Sequence, residues 1–128
     1  MPVTVKLRSV RGIYGVARLA ADAPIPSWFN GPGFSAAIRA DDELTLVCLQ
    51  ERIPDAIEAE PDWCCFRSVG PIPFNATGIV RSLIEPLSSQ GVGVFVICTF
   101  DGEHILVSAS DWEKSRTVLE QAGHVFEA

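Results

Sequence analysis

The chain has 128 residues, 48% apolar and 20% charged, with ten basic residues against sixteen acidic ones and a net charge of −6. This excludes a disordered chain, which would bury too little apolar surface to fold, and with no basic block or stripe it argues against nucleic acid or an anionic membrane as partner. The longest apolar runs, such as 92–100, fall far short of the roughly 20 residues of a membrane-spanning helix, and the opening MPVTVKLRSV lacks the apolar stretch of a secretion signal. A soluble, acidic, cytoplasmic protein is expected.

Residues 3–10 and 14–19 read as two strands joined through Arg11 and Gly12. The stretch 24–30 has room for one helical turn before Gly31-Pro32-Gly33, which lacks the Lys-Ser/Thr partner of a phosphate-cradling loop. Residues 34–39 and 44–49 read as a hairpin around Ala40-Asp41-Asp42-Glu43, where solvation alone accounts for the acids. Residues 53–57 read as a short helix, and 58–62 as an acidic linker. About 60 residues with so little helix bury little on their own. Residues 1–60 are therefore expected as a strand-rich unit packed as one body with residues 61–128.

The second half is clearer. Residues 63–69 have strand composition and end at Gly70, Pro71 and Pro73. Ile79, Val80, Leu83, Ile84 and Leu87 then fall at helical spacing, with Asn75 or Thr77 as N-cap and Gly91 as the stop. Pro86 inside this pattern predicts a kink or a loosened last turn. Residues 94–100 read as a strand buried on both faces, Asp101-Gly102 as a type I′ hairpin turn, and 104–109 as the return strand. Ser110-x-x-Glu113 has capping-box spacing, so a helix starts there, with Trp112, Val118, Leu119 and Ala122 as its apolar face and Gly123 as its end. Residues 124–127 form a last short strand. The order β-α-β-β-α-β is the split βαβ, ferredoxin-like motif.

The four cysteines do not form a disulfide framework. Cys48 and Cys98 lie in strand-like runs that suit small buried hydrophobes. Cys64 and Cys65 are adjacent and point to opposite faces. No CxxC or other metal-ligand spacing is present, and His104 and His124 are far apart in sequence. Pairing Cys64 or Cys65 with either histidine as a catalytic dyad has no support in spacing, and no G-x-S-x-G elbow exists. Trp28, Trp63 and Trp112 read as core or interface residues, and His104 as a packed or surface histidine. No cofactor is expected.

The run GlyProIleProPheAsnAlaThrGlyIleVal (70–80), followed by CysThrPheAspGlyGluHisIleLeuVal (98–107), resembles the small tandem ACT-domain proteins, bacterial relatives of the Castor amino-acid sensors. In the first half, 42–54 with Leu46-Val47-Cys48 at its centre resembles the same family. The resemblance implies an α+β fold of two tandem ferredoxin-like (βαββαβ) units with antiparallel sheets, an eroded one over 1–60 and a full ACT domain over 61–128. It implies a regulatory module without catalytic activity that binds an amino acid between paired domains.

The residues themselves suit that chemistry. The loop Asn75, Ala76, Thr77, Gly78 and Ile79 leads into a helix N-terminus, where free N–H groups and the dipole favour a carboxylate. Thr99, Phe100, Asp101 and Glu103 sit at the neighbouring strand end, where an acid would pair with a ligand's ammonium or guanidinium group. By resemblance, Thr99 and Phe100 match the family's Thr-aromatic pair and Glu103 its Asp. Family members usually carry Ser-Thr-Phe-x-Thr-Asp-Tyr here, so Glu103 keeps the charge on a longer arm, and Gly102 removes a hydroxyl. The expected partners are a small amino acid, a second copy of the chain and a regulated protein. The alternative is a ligand-free protein-interaction module on the same fold.

Overall fold

In the computed structural model, which describes residues 3–127, the two strands expected over 3–10 and 14–19 are one, β1 (Lys6–Leu19). Gly12 carries the irregularity between them. Its φ of +107° is open to glycine, and the Leu49 side chain occupies the space a Cβ would need. The remaining elements are β2 (Ala36–Arg39), β3 (Leu44–Leu49), β4 (Ala59–Ser68), α1 (Ile79–Ser89), β5 (Val94–Cys98), β6 (Glu103–Ser108), α2 (Trp112–Gln121) and β7 (Val125–Phe126). Single 3₁₀ turns occur at Ser27–Phe29, Gln50–Arg52 and Ala109–Asp111. This is an α+β chain. Among the described residues no helix is long and apolar enough to cross a membrane. The outer limits of the two expected domains, Met1 and Ala128, lie outside the described residues.

The chain divides into two compact units: residues 11–63, and the residues up to Val10 together with those from Cys64 onward. In the first, the strands lie in the order β2-β3-β1-β4. Tyr14 to Leu19 of β1 face Leu49 to Leu44 of β3, and β3 forms the expected hairpin with β2, Ala36 facing Val47 and Arg39 facing Leu44. Ala17, Phe29, Leu44, Leu46 and Cys48 form the core, with Trp28, Ile53 and Ile57 packed against it. The helix expected over 53–57 is absent. Too few residues separate the Gln50–Arg52 turn from β4 to propagate one, and the Ile57 N–H closes a turn on the Pro54 carbonyl at 3.0 Å. The stretch 59–62, read as linker, is the start of β4.

In the second unit the order is β7-β1-β4-β6-β5. The βαββαβ succession is present as β4-α1-β5-β6-α2-β7, but the start of the chain lies between its first and last strands. Lys6 and Leu7 pair in parallel with Val125 and Phe126, and the Val69 N–H donates to the Lys6 carbonyl. Val94 to Cys98 of β5 face Val107 to Glu103 of β6 in antiparallel register. Leu83, Leu87 and Leu119 of the two helices meet Val5, Leu7, Phe66, Ile105, Val107 and Phe126 of the strands.

Both helices end on glycine caps. Gly91 (φ +76°) and Gly123 (φ +101°) take the left-handed conformation, and the N–H groups of Val92 and His124 reach back to the Leu87 and Leu119 carbonyls. The helix starts differ from expectation. Neither Asn75 nor Thr77 caps α1; its N-cap is Gly78 (φ +81°), with no side-chain cap. The capping box is also absent: the Ser110 hydroxyl lies 3.0 Å from that of Ser108, in the 3₁₀ turn ahead of α2, and the N-cap is Asp111. On α2, Ser115 shares the buried face with Leu119.

Candidate functional site

The β5–β6 connection is the first part of the site. β5 stops at Cys98, which is exposed and not buried as its strand context suggested, and the strand is only partly buried. The link to β6 is the four-residue loop Thr99–Gly102, closed by the Thr99 Oγ1 hydroxyl donating to the Gly102 carbonyl at 3.1 Å. It is not a type I′ turn, because neither Asp101 nor Gly102 has a positive φ. Gly102 is required for space: a Cβ there would stand 2.3 Å from the Ser68 hydroxyl. The loop after β4 hangs on this connection, its Ile72 N–H donating to the Asp101 carbonyl at 2.8 Å.

These two loops and the start of α1 enclose a cleft of about 260 Å³. Of the expected site residues, Ala76, Gly78, Ile79, Thr99, Phe100 and Glu103 line it together. Asn75, Thr77 and Asp101 do not. Asp101 contributes its backbone carbonyl to the loop, and all three side chains are exposed. Sequence reasoning did not include Phe74, Arg81 and Cys98, which also line the cleft. The aromatic following Pro71-Ile72-Pro73 is the signal that was available for Phe74. Phe74 and Phe100 meet edge to face at 4.9 Å while remaining 76% and 78% exposed.

Glu103 is the chemically distinctive member. It is 5% exposed, and its carboxylate accepts the Ser68 hydroxyl at 3.2 Å, while Ser68 Oγ accepts the Glu103 N–H at 3.0 Å. Ser68 comes from β4, 35 residues away. Among the described residues, the recorded ion pairs are Arg8–Glu127, Arg81–Glu85 and Arg116–Glu120. A buried carboxylate with one hydroxyl for company favours a cation delivered from outside. Across the cleft, the first N–H groups of α1 have no intrahelical acceptor, and no acid stands in its first turn.

Cys48, Cys64, Cys65 and His104 behave as packing residues. Burial raises the pKa of Cys48 and Cys64 and pushes that of Cys65 up to about 12, the direction opposite to nucleophile activation. Burial, with Arg67 nearby, lowers that of His104 to about 4. Among the described residues no three His, Cys, Asp or Glu side chains are grouped to hold a metal. Trp28 and Trp112 pack on the two cores, and no tryptophan lines the cleft.

The unit of residues 11–63 has a larger cleft, about 590 Å³, which no sequence signal marked. It is lined by Gly12, Ile13, Leu49, Ile53, Pro54 and Ile57, with Glu51 and Asp55 also on its wall. Both acids are exposed. It offers neither an α-helix N-terminus nor a buried charge.

The family model of the ACT domain matches residues 58–121, half of the chain. The chain belongs to the ACT-domain family. A second family model, of an N-terminal domain, matches residues 12–56 ahead of the ACT domain. The crystal structure of protein Atu0741 from Agobacterium tumefaciens is 48% identical, covers 98% of this chain and 93% of its own, and superposes with a TM-score of 0.93. The fold is shared with aspartate kinase of Clostridium acetobutylicum, at 17% identity and TM-score 0.66, over 88% of this chain and 33% of that one. It is also shared with the regulatory subunit of aspartate kinase from Thermus thermophilus, at 12% identity and TM-score 0.59, over 91% and 94%. No curated protein matches the chain.

Proposed function

We propose that this ACT-domain protein is a non-enzymatic regulatory module that binds a free amino acid in the 260 Å³ cleft of its C-terminal unit. The observation that carries the reading is Glu103, a buried carboxylate on the wall of a cleft that also contains a helix N-terminus. The ligand's ammonium or guanidinium group pairs with Glu103 and its carboxylate takes the N–H groups at Ile79 to Arg81. Thr99 and Phe100 form the adjoining wall. The resemblance to aspartate kinase regulatory domains supports a regulatory role. The finer reading is a tandem pair of ferredoxin-like units of the Castor-sensor type, acting in the cytoplasm as a homodimer upon a protein partner. Regulation then works through differential ligand affinity for two arrangements of that assembly.

Thermal unfolding against each of the twenty amino acids at millimolar concentration tests this. A ligand at 100 times its dissociation constant adds about 2.7 kcal/mol, a shift on the order of 5–15 °C. One amino acid should stabilise the protein, and Glu103→Gln should abolish that shift while remaining folded. A second reading, a ligand-free protein-interaction module, draws on the exposed Phe74–Phe100 pair. A flat panel on folded protein favours it.

A further inference from the structure

Pro86 sits in the interior of α1, where its missing N–H leaves the Ser82 carbonyl without the bond a regular helix would give it. The helix nevertheless runs on to Ser89. The Ser82 carbonyl oxygen lies 2.8 Å from Nε2 of His124, a residue 42 positions away and 3% exposed. The Val5 N–H donates to Nδ1 of the same ring at 3.0 Å, so Nδ1 carries no proton and Nε2 does. The ring therefore donates to Ser82. Its position is fixed by the glycine cap of α2, in which the His124 N–H reaches the Leu119 carbonyl at 3.1 Å.

We infer that His124 replaces the N–H that Pro86 lacks, and that this clasp is a conformational device controlling where the first turn of α1 stands. The bond crossing from residue 86 to residue 82 is missing from the helix itself, so the segment 79–82 is joined to the rest of α1 by one internal bond fewer, the usual site of a helix hinge. An open groove of about 500 Å³, lined by Val3, Gly78, Arg81, Ser82, Pro86 and His124 among others, runs beside the clasp. With the clasp closed, α1 is held to the residue ahead of β7 and to the backbone ahead of β1. With it open, the first turn is free to shift. His124 is thus a positioning residue for the cleft; that consequence rests on the ligand-site reading, whereas the clasp itself does not.

Four proteins test it: the natural chain, His124→Leu, Pro86→Ala and the double variant. Loss of His124 should lower Tm and speed amide exchange at Ser82 to Glu85 at least tenfold. In the Pro86→Ala background, where residue 86 supplies its own N–H, the same loss should lower Tm by about 3–8 °C less and leave exchange in α1 near its natural rate, with only the Val5 amide still unprotected. A simple packing role predicts equal losses in both backgrounds, and that result overturns the clasp. Should His124→Leu fail to fold, nitrogen NMR of the natural chain and Pro86→Ala decides. A single Nε2–H tautomer with a slowly exchanging ring proton, exchanging faster in Pro86→Ala, is expected; two tautomers in fast exchange refute the proposal. None of these readouts requires a ligand, so they stand apart from the amino-acid panel.

Discussion

The two units solve the same burial problem with different materials. Residues 11–63 use strands and 3₁₀ turns around Leu44, Leu46 and Cys48, and leave an open cleft where Ile53 and Ile57 run by without a helix. The C-terminal unit lays Leu83, Leu87 and Leu119 of two helices over its sheet. Helix α1 brings an end at which several N–H groups converge without acceptors, here on the same cleft as a buried carboxylate. The larger cleft is therefore the poorer candidate for a zwitterion, because its acids Glu51 and Asp55 are exposed and no helix N-terminus stands opposite them.

The largest effect is expected in the helical core. Leu83 is fully buried, and Leu83→Ala should cost about 2–5 kcal/mol in urea unfolding. A loss below about 1 kcal/mol would mean that α1 contributes little to that unit. Next comes acid. The pKa of His104 falls to about 4 in the folded protein against about 6.5 unfolded, so the unfolded chain binds the extra proton. Its stabilisation is whole above pH 6.5 and is lost as pH falls toward 4, up to about 3 kcal/mol. His104→Gln should flatten the stability profile across that window.

Two glycines sharpen the contrast between the two units. Gly102→Ala drives a methyl into the Ser68 hydroxyl and should cost about 1–3 kcal/mol, disturbing the Ser68–Glu103 pair as well. Gly12→Ala strains only the positive φ, since the Leu49 side chain can swing aside, and should cost about 1–2 kcal/mol. Both are read by thermal unfolding. The smallest effect belongs to the exposed Arg81–Glu85 pair at 2.9 Å: Glu85→Ala should change stability by no more than about 0.5 kcal/mol.

What was legible in the sequence was local. Helical spacing at Ile79, Leu83 and Leu87, the glycines that end both helices, and the β2–β3 hairpin could each be read within a short stretch of neighbouring residues. Long-range pairing was hidden. Nothing in Lys6 and Leu7 announces that they separate β7 from β4, and nothing in Gly12 separates a break from a bend. Turn chemistry misled at Asp101-Gly102, where glycine serves space and not φ. In the site, Thr99, Phe100 and Glu103 came from their motif, yet Ser68, the partner of Glu103, lies 35 residues away and carries no signal. Pro86 was visible as a defect; the histidine that compensates it was not.

The most direct test is an amide NMR titration with whichever amino acid stabilises the protein. The moving signals should be Gly78 to Arg81 and Thr99 to Glu103, with Gly12 to Gly15 and Leu49 to Asp55 unmoved, and Glu103→Gln should erase the response. Shifts confined to the cleft of residues 11–63 would contradict it.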